Sequence, residues 1–215
     1  MKIALILANG KPPSRQLFKK YISSIDVFIC ADGGANAALR FKSKPDLIIG
    51  DLDSVFKETL HKFKKADIKQ LRDQNSTDLE KALAAAIKMN CTGIIVLGAI
   101  GGRLDHAIGN LSALSKYSRQ AKIKFIDDTG EFIPIIHSAK LILPTGTLIS
   151  LLPISRCSGI ITKGLKWNLK NDFLQFGIRE STSNVVISSP VTIKVKKGNL
   201  VAFIINNCQL NSPSN

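Results

Sequence analysis

Two carboxylates stand two residues apart in the stretch GDLDS, at Asp51 and Asp53. Three further aspartates, Asp32, Asp78 and Asp105, likewise fall at the end of a predicted strand or the start of a predicted helix. A single aspartate in such a position usually caps a helix or forms a turn. Several of them at one edge repel one another and raise each other's pKa unless a cation is bound there. Because Mg²⁺ binds through one or two carboxylates together with substrate phosphates, the pattern predicts a magnesium–phosphate site.

Paired glycines indicate the same kind of ligand. Gly33-Gly34 and Gly101-Gly102 each precede a predicted helix. Glycine lets the backbone approach a ligand closely, and the N–H groups at the start of a helix favour phosphate. The general nucleotide-binding patterns G-x-x-x-x-G-K-[ST] and G-x-G-x-x-G do not occur in the sequence. The residue pattern therefore indicates an enzyme that handles Mg-bound phosphate, without identifying its substrate.

An alternation of strands and helices is expected to bring these residues together. Apolar runs predict strands at residues 3–8, 27–31, 46–49, 68–71, 94–99 and 122–127. Helical spacing predicts helices at residues 14–23, 35–41, 55–65, 77–89 and 105–117. Thr77 and Glu80 form a capping-box pattern at the start of the fourth helix. Such alternation predicts an α/β fold with a mostly parallel sheet and flanking helices on both faces.

Ligands of such sheets bind at the carboxyl ends of the strands. Four polar or glycine-rich segments directly follow predicted strands, namely Asn9-Gly10, Asp32 to Gly34, Gly50 to Asp53 and Gly98 to Asp105. We therefore expect these four segments to converge on one edge of the sheet.

The character of the chain changes after about residue 137. Short β-type segments then occur at residues 148–152, 159–162, 185–187, 191–195 and 200–205, separated by Pro- and Gly-containing turns. This pattern predicts a C-terminal all-β sandwich domain. We therefore expect two domains, residues 1–137 and residues 138–215.

The net charge of +14 allows two interpretations. It indicates either a solvated basic surface or a patch that binds a polyanion. The basic residues are scattered and no recognised nucleic-acid motif occurs, so we expect no nucleic-acid partner. Four scattered cysteines, Cys30, Cys91, Cys157 and Cys208, are expected to be reduced thiols. No apolar run approaches the ~18 residues of a membrane span, and Ile3 to Ala8 is too short for a signal peptide, so we expect a cytoplasmic protein without a membrane partner.

Five longer stretches resemble, in order, the successive motifs of thiamine pyrophosphokinases. They are ADGGAN (31–36), PDLIIGDLDS (45–54), DQNSTDLEKAL (73–83), LGAIGGRLDHAIGNL (97–111) and GLKWNLKNDFLQFG (164–177), the last followed by STSN (181–184). The resemblance implies an ATP/Mg-binding catalytic domain followed by a thiamine-binding β-sandwich. It also implies a homodimer with active sites at the subunit interface, and the reaction of ATP with thiamine to give AMP and thiamine diphosphate with Mg²⁺ as cofactor.

The resemblance also implies roles for individual residues. Metal ligands are implied at Asp51, Asp53 and Asp78, and catalytic roles for Asp78, Asp105 and Arg103. ATP contacts are implied for Asn9, Asp32, Gly33, Gly34, Asn36 and Arg103. Thiamine contacts are implied for Gln74, Trp167, Ser181, Ser183 and Asn184, although Trp167 on pattern alone is either a core residue or a ligand platform. Arg179 and Glu180 depart from the family pattern, which has small or apolar residues before STSN.

Two other functions are weighed against this one. The basic charge is the argument for a nucleic-acid-binding module, which would show steeply salt-dependent binding. A different Mg-dependent phosphotransferase on the same scaffold would share Asp51 and Asp53 but would have no reason for the GLKW and STSN segments.

Overall fold

A computed structural model describes residues 1–206 of the chain. It contains two compact units, Met1–Asp128 and a second unit that begins at Thr129. The sequence patterns place the boundary after residue 137 instead. The strand Gly130–Ile135 explains the difference, because it pairs along its whole length with the strand Leu200–Ile205 of the second unit. Cys208 and the polar tail at residues 211–215 lie outside the described residues.

The first unit is a parallel sheet with helices. Its strands are β1 (Ile3–Leu7), β2 (Val27–Ala31), β3 (Leu47–Gly50), β4 (Asp67–Gln70), β5 (Gly93–Leu97) and β6 (Lys122–Ile126). Its helices are α1 (Arg15–Ile22), α2 (Gly34–Arg40), α3 (Lys57–Lys62), α4 (Asp78–Lys88) and α5 (Leu104–Tyr117). The strand order is β6-β5-β1-β2-β3-β4, and each neighbouring pair is parallel. Every predicted element of this unit is present, with α3 shorter than expected.

Side-chain caps fix two of the helix starts. Ser14 accepts a hydrogen bond from the backbone N–H of Leu17 at the start of α1. At α4, Thr77 Oγ1 accepts from the N–H of Glu80, and the Glu80 carboxylate accepts from the N–H of Thr77. Both bonds of the predicted capping box are therefore made, and α4 begins at Asp78, where its first residue faces the ligand edge.

Both faces of this sheet are buried. Leu5, Leu7 and Phe28 pack in one apolar cluster with Phe18 of α1 and Ala38 of α2. The intervening strand residues point to the opposite face and are buried as well, namely Ala4, Ile6 and Ile29. Helix α4 contacts β1, β2, β3 and α5. The sheet therefore has the two covered faces that a parallel arrangement requires.

The second unit is an antiparallel β-sandwich. Its strands are β7 (Gly130–Ile135), β8 (Ser138–Leu141), β9 (Leu148–Pro153), β10 (Cys157–Lys163), β11 (Lys170–Leu174), β12 (Ser181–Val185), β13 (Val191–Lys194) and β14 (Leu200–Ile205). Within this unit the strands are ordered β12-β9-β14-β7 and β11-β10-β13-β8. Residues of both groups, such as Ile149 and Ile193, share one buried core. The predicted fold class, α/β followed by a β-sandwich, is thereby confirmed.

One predicted strand of the second unit is wrong in its position. Residues 185–187 were expected to form a strand because they are apolar, but β12 covers the polar stretch Ser181–Val185. The apolar residues that follow bond to a loop instead, since the N–H groups of Ile187 and Ser188 both donate to the carbonyl of Gly164. Strands β7, β8 and β11 were not predicted. Within residues 1–206, no helix is both long enough and apolar enough to cross a membrane.

Candidate active site

A cleft of about 990 Å³ lies at the carboxyl ends of the parallel strands of the first unit. Its walls include Asn9 after β1, Asp32 after β2, Asp51 after β3 and Arg103 after β5. All four segments that were expected to converge contribute to this cleft. The start of α4 and the preceding loop at residues 73–77 complete its lining.

Three carboxylates form the centre of this cleft. One oxygen each of Asp32, Asp51 and Asp78 can be chosen so that all three lie within 4.8 Å of one another. Asp53, which the sequence places with the metal ligands, also lines the cleft but is not a member of this cluster. Its carboxylate accepts a hydrogen bond from Ser54 Oγ at 3.0 Å. Asp32 was expected at the same ligand edge, but the family resemblance assigns it to ATP and not to the metal, so its place in this cluster differs from that assignment.

Gly50 is the reason these carboxylates can approach one another. A Cβ atom at position 50 would lie 3.0 Å from Cβ of Asp32 and 3.1 Å from Cγ of Asp78. Both distances are shorter than ordinary carbon–carbon contacts of about 3.5–4.0 Å. The absence of a side chain at the end of β3 therefore leaves the space in which the acidic cluster forms.

Asp32 carries the least solvated of the three charges. The residue is 3% exposed and its φ of 45° lies in the left-handed region. Burial raises the pKa of Asp32, and the charge of Asp78 raises this pKa further, while hydrogen bonds from Gly33 and Ser54 lower it. A buried carboxylate beside a second carboxylate is the environment that a bound cation relieves. The donor set is all oxygen, which fits a hard cation such as Mg²⁺.

Asp78 is held by a lysine that sequence reasoning missed. Nζ of Lys81 donates to Asp78 Oδ1 at 2.9 Å and to the carbonyl of Leu71 at 3.0 Å. The N–H of Asp51 also donates to Asp78 Oδ1, at 3.2 Å. Among residues 1–206, the hydrogen bonds to the Asp78 carboxylate use Oδ1, so Oδ2 is available to a cation. The spacing of Asp78 and Lys81, three residues apart on a predicted helix, was the available sequence signal.

The loop before α4 is internally bonded. The carboxylate of Asp73 accepts hydrogen bonds from the backbone N–H of Asn75 and from Ser76 Oγ. The Asn75 N–H, followed by the Ser76 hydroxyl, lowers the pKa of Asp73. Gln74, the predicted thiamine contact, is exposed in this loop and lines the cleft. Lys81 thus holds this loop at Leu71, and Asp73 holds it at Asn75 and Ser76, so Gln74 lies between two fixed points.

Two asparagines predicted to contact ATP have different surroundings. Asn9 lines the cleft, and its Nδ2 donates to Asp32 Oδ2 at 3.4 Å. Asn36 Nδ2 donates to the carbonyl of Ser54, and its Oδ1 accepts from the N–H of Phe56 and from Thr59 Oγ1. The Asn36 amide therefore organises the turn after Asp53.

The two predicted glycines serve packing as well as ligand approach. A Cβ at Gly33 would collide with the side chain of Asn9, and a Cβ at Gly34 would collide with the carbonyl oxygen of Leu7. The start of α2 can therefore lie directly against the carboxyl end of β1 and the loop that follows it. The neighbouring 98–102 loop is held by Asn110, whose Nδ2 donates to the carbonyl of Ala99 at 2.7 Å. Asn110 is a second residue to which sequence reasoning gave no role.

Arg103 and Asp105 form an exposed ion pair at the start of α5. Nη2 of Arg103 lies 2.6 Å from Asp105 Oδ2, and both side chains are largely exposed. The hydrogen bond from Arg103 is the main reason that the pKa of Asp105 is lowered to about 2. Exposed pairs of this kind contribute little to stability, so the guanidinium can exchange its partner for a phosphate at small cost.

The predicted thiamine residues of the second unit differ in exposure. Trp167 is 57% exposed, Ser181 is partly exposed and Ser183 is exposed. Asn184 is 2% exposed, and its side-chain amide bonds to the backbone of Trp167. Of these four residues, Trp167 and the two serines present side chains to solvent, whereas Asn184 is buried against the backbone of Trp167.

The fold and the cleft together define the class of protein. A carboxylate cluster, helix starts and an exposed arginine at the carboxyl edge of a parallel sheet are the parts of a phosphotransfer site. The described residues that line the cleft include no cysteine, and no serine bonded to a histidine. Positioning with charge stabilisation is sufficient for phosphoryl transfer.

Comparison with known proteins gives the family. Residues 18–126 match the family described as thiamin pyrophosphokinase, catalytic domain, and residues 135–200 match thiamin pyrophosphokinase, vitamin B1 binding domain. Thiamine pyrophosphokinase 1 of Oryza sativa subsp. japonica is 33% identical over 195 residues, covering 77% of this chain and 74% of the relative. Thiamine pyrophosphokinase 1 of Arabidopsis thaliana is 32% identical over 195 residues, covering 77% and 73%. The crystal structure of thiamine pyrophosphokinase from Bacillus subtilis superposes with a TM-score of 0.82 at 25% identity, covering 96% of this chain and 100% of that one.

The chain therefore belongs to the thiamine pyrophosphokinase family, and it is an enzyme of the transferase class. The two matched segments fall in the two structural units in the same order.

Proposed function

We propose that the cleft of the first unit is where this chain transfers the diphosphoryl group of ATP to the hydroxyl of thiamine. The observation that carries the proposal is the convergence of Asp32, Asp51 and Asp78 inside the segment that matches the family's catalytic domain. In the reaction the thiamine hydroxyl oxygen forms a bond to the β-phosphorus of ATP. The bond from the β-phosphorus to the α,β-bridging oxygen breaks, AMP leaves, and the hydroxyl proton passes to a base of the enzyme. The products are thiamine diphosphate and AMP.

Magnesium is the cofactor that the donor set fits. Asp51 and Asp78 would hold Mg²⁺, with Asp32 as the third carboxylate of the cluster and Asp53 beside them in the cleft. When bound, Mg²⁺ would neutralise phosphate charge and orient the diphosphoryl group. Lys81 and the N–H of Asp51 both use Oδ1 of Asp78, which keeps that carboxylate in one orientation.

Arg103 and the aspartates supply the remaining steps. Arg103 is proposed to leave Asp105 and stabilise the negative charge on the transferred phosphate. Asp78 is proposed to accept the hydroxyl proton. Asp105 is a poor candidate for this base while it is paired with Arg103, because the hydrogen bond from Arg103 holds its pKa at about 2. Its catalytic role is then to keep Arg103 at the mouth of the cleft before ATP arrives.

Substrate contacts are proposed from both units. Asn9 and Gly33 border the acidic cluster and are proposed to seat ATP, with Gly34 and Asn36 holding the backbone that does so. Gln74, Ser181, Ser183 and Trp167 are proposed to contact thiamine. The family resemblance supports a homodimer with active sites at the subunit interface, residues 1–137 as the ATP/Mg part and residues 138–215 as the thiamine part. A cytoplasmic location stays a prediction.

Phosphorus NMR of the purified protein with Mg-ATP and thiamine tests the proposal. We expect AMP and thiamine diphosphate to appear together, and Asp78→Asn to abolish both signals while circular dichroism stays unchanged. Asp67→Asn is the matched control, because Asp67 is a half-exposed carboxylate of the same unit that pairs only with Lys69 among the described ion pairs. Appearance of ADP with thiamine monophosphate would overturn the diphosphoryl transfer. Full activity of Asp78→Asn would overturn the site.

A further inference from the structure

Trp167 is an exposed ring on a fixed piece of backbone. It is the only tryptophan of the chain and is 57% exposed, in the loop between β10 and β11. Leu165 and Leu169, two residues before and after it, are buried in the core of the second unit. The loop is therefore anchored on both sides, and the indole between the anchors is left available to a ligand.

The side chain of Asn184 binds both polar backbone groups of Trp167. Asn184 Oδ1 accepts from the N–H of Trp167 at 3.1 Å, and Nδ2 donates to its carbonyl at 2.8 Å. The same Oδ1 accepts from the N–H of Val185 at 2.9 Å. These bonds fix both peptide groups of Trp167, and through them the direction in which its ring leaves the backbone.

A β-bulge brings Asn184 to this position. Ser181 pairs with Leu151 and Asn184 pairs with Ile149, so β12 contains one more residue than β9 across this interval. Ser183, in the middle, has a φ of 54° and donates its N–H to Ser150 Oγ. Bulges of this kind re-aim side chains and are enriched beside functional sites. Here the bulge accompanies an Asn184 amide that is buried against the Trp167 loop, while Ser183 stays exposed.

We infer that Asn184 is a positioning residue for the thiamine site, acting through Trp167 and not by touching thiamine itself. The inference rests on the proposed function. Asn184 is 2% exposed, and its side-chain hydrogen bonds within residues 1–206 go to backbone groups, so it has little surface to offer a ligand. Trp167, in contrast, presents a flat ring whose face accepts cations, since Lys166 Nζ lies 4.7 Å from the ring centroid. Thiamine carries a positively charged thiazolium ring and a flat aminopyrimidine, and both kinds of group stack on indole.

The single tryptophan makes the test direct, because all tryptophan emission comes from position 167. Asn184→Leu removes both bonds to the Trp167 backbone at similar volume. We expect lower steady-state anisotropy of Trp167, and a KM for thiamine raised about tenfold or more, as misplacement of a binding group produces. The KM for ATP is expected to stay within about twofold, because the ATP residues lie in the first unit.

Asn168→Leu is the matched control in the same loop. Asn168 Oδ1 accepts from the N–H of Leu165 and from Thr162 Oγ1, and neither of these bonds involves Trp167. We expect this variant to retain the anisotropy and the KM for thiamine of the parent protein. Asn184→Asp keeps the acceptor for the Trp167 N–H and loses the donor to its carbonyl. Its anisotropy and its KM for thiamine are expected to lie between those of the parent protein and of Asn184→Leu. If Asn184→Leu does not fold, the test is made with Asn184→Asp.

The inference is overturned if the Asn184 variants lose stability while anisotropy and KM for thiamine stay at the parent values. It is also overturned if anisotropy falls and thiamine affinity does not, because Trp167 is then not the platform. Failure of the proposed function has a different signature. The parent protein would then make no thiamine diphosphate, whereas the anisotropy difference between Asn184→Leu and Asn168→Leu needs no substrate.

Discussion

The ammonium group of Lys81 lies 2.9 Å from Oδ1 of Asp78, in a side chain that is only 5% exposed. The same ammonium group donates a hydrogen bond to the carbonyl of Leu71, so Lys81 connects the acidic cluster to the loop that carries Gln74. A lysine is seldom buried without a partner, because desolvation of its charge is costly. Its place beside Asp78 gives the cluster a fixed positive charge that does not depend on metal.

The first prediction is that Lys81→Met weakens both the fold and the metal site. We expect a loss of about 1–3 kcal/mol in the free energy of unfolding, because the Leu71 carbonyl and the Asp78 carboxylate lose a buried donor. Urea unfolding measures this loss. Mn²⁺ affinity, measured by electron paramagnetic resonance as a probe of the Mg²⁺ site, is expected to fall as Asp78 loses its orientation.

Lys116→Met is the control for Lys81→Met. Lys116 of α5 pairs with Glu80 of α4 at 2.8 Å, and the exposed fraction is 60% for the Lys116 side chain and 13% for that of Glu80. Because the lysine of this pair is largely solvated, its loss is expected to cost about 0–1 kcal/mol, less than the loss of Lys81, and to leave the Mn²⁺ affinity unchanged. Equal losses in the two variants would show that burial of Lys81 is unimportant.

The second prediction concerns the space that Gly50 leaves open. Gly50→Ala is expected to abolish Mn²⁺ binding and turnover, because the new Cβ would push Asp32 and Asp78 apart. Gly109→Ala is the control, since a Cβ at this helical position meets no atom within 4 Å. It is expected to raise stability by up to about 1 kcal/mol through helix propensity and to leave Mn²⁺ binding intact. Normal Mn²⁺ affinity in Gly50→Ala would refute the steric argument.

The third prediction separates the charge of Arg103 from its geometry. Arg103→Lys is expected to lower kcat about 10- to 100-fold, because an ammonium cannot make the paired hydrogen bonds of a guanidinium. The melting temperature is expected to stay within about 1 °C, since the pair with Asp105 is largely exposed. Arg119→Lys, an exposed arginine outside the cleft lining, controls for loss of an arginine as such. Unchanged kcat in Arg103→Lys would remove Arg103 from the mechanism.

The elements of the first unit were predictable because each carries its own local signal. The run Ile3 to Leu7 is apolar throughout, as a strand buried on both faces must be. The capping-box pattern of Thr77 and Glu80 indicates the start of α4. In the second unit the signal fails where strands are polar or exposed. Strand β11 is mostly exposed and shows no clean alternation of apolar and polar residues. The residues Ser181 to Asn184 are polar, so only their pairing with β9 identifies β12 as a strand.

The candidate site was predictable as a set of segments and less so as a set of contacts. Strand ends and helix starts indicated which segments converge, so Asp32, Asp51 and Asp78 were all placed at the ligand edge. Membership of Asp32 in the cluster depends on its left-handed backbone and on Gly50, neither of which a spacing rule shows. The same holds for Asn184, because a bulge decides whether its amide faces a ligand or the backbone of Trp167.

The fourth prediction is a pH dependence of stability at Arg179, a departure from the family pattern that forms an ion pair with Asp172. Arg179 binds both carboxylate oxygens of Asp172, and this hydrogen bonding lowers the pKa of Asp172 from its ordinary value of 3.8. A carboxylate whose folded-state pKa is depressed adds stability that is complete above the unfolded pKa. That stability is lost as the pH falls below 3.8 toward the folded value.

Thermal unfolding of the parent protein and Asp172→Asn tests this prediction. We expect the parent protein to be the more stable at pH 6 and the difference to shrink below pH 4. Asp67→Asn serves as the control, because its pair with Lys69 is about half exposed. A difference that stays constant from pH 6 to pH 3 would show that the Asp172–Arg179 pair does not respond to protons.

The position of β1 in the sheet has a consequence for how the chain folds during synthesis. Strand β1 pairs with β2 on one side, but its other neighbour is β5, where Ile3 lies opposite Gly93. A nascent chain that has not reached β5 already contains all three members of the acidic cluster, yet it leaves one edge of the apolar strand β1 unpaired. Unpaired apolar edges invite association with other chains. Entry of β5 thus closes that edge and, in the same step, adds the Arg103 side of the cleft, so protection of the chain from aggregation and completion of its active site coincide.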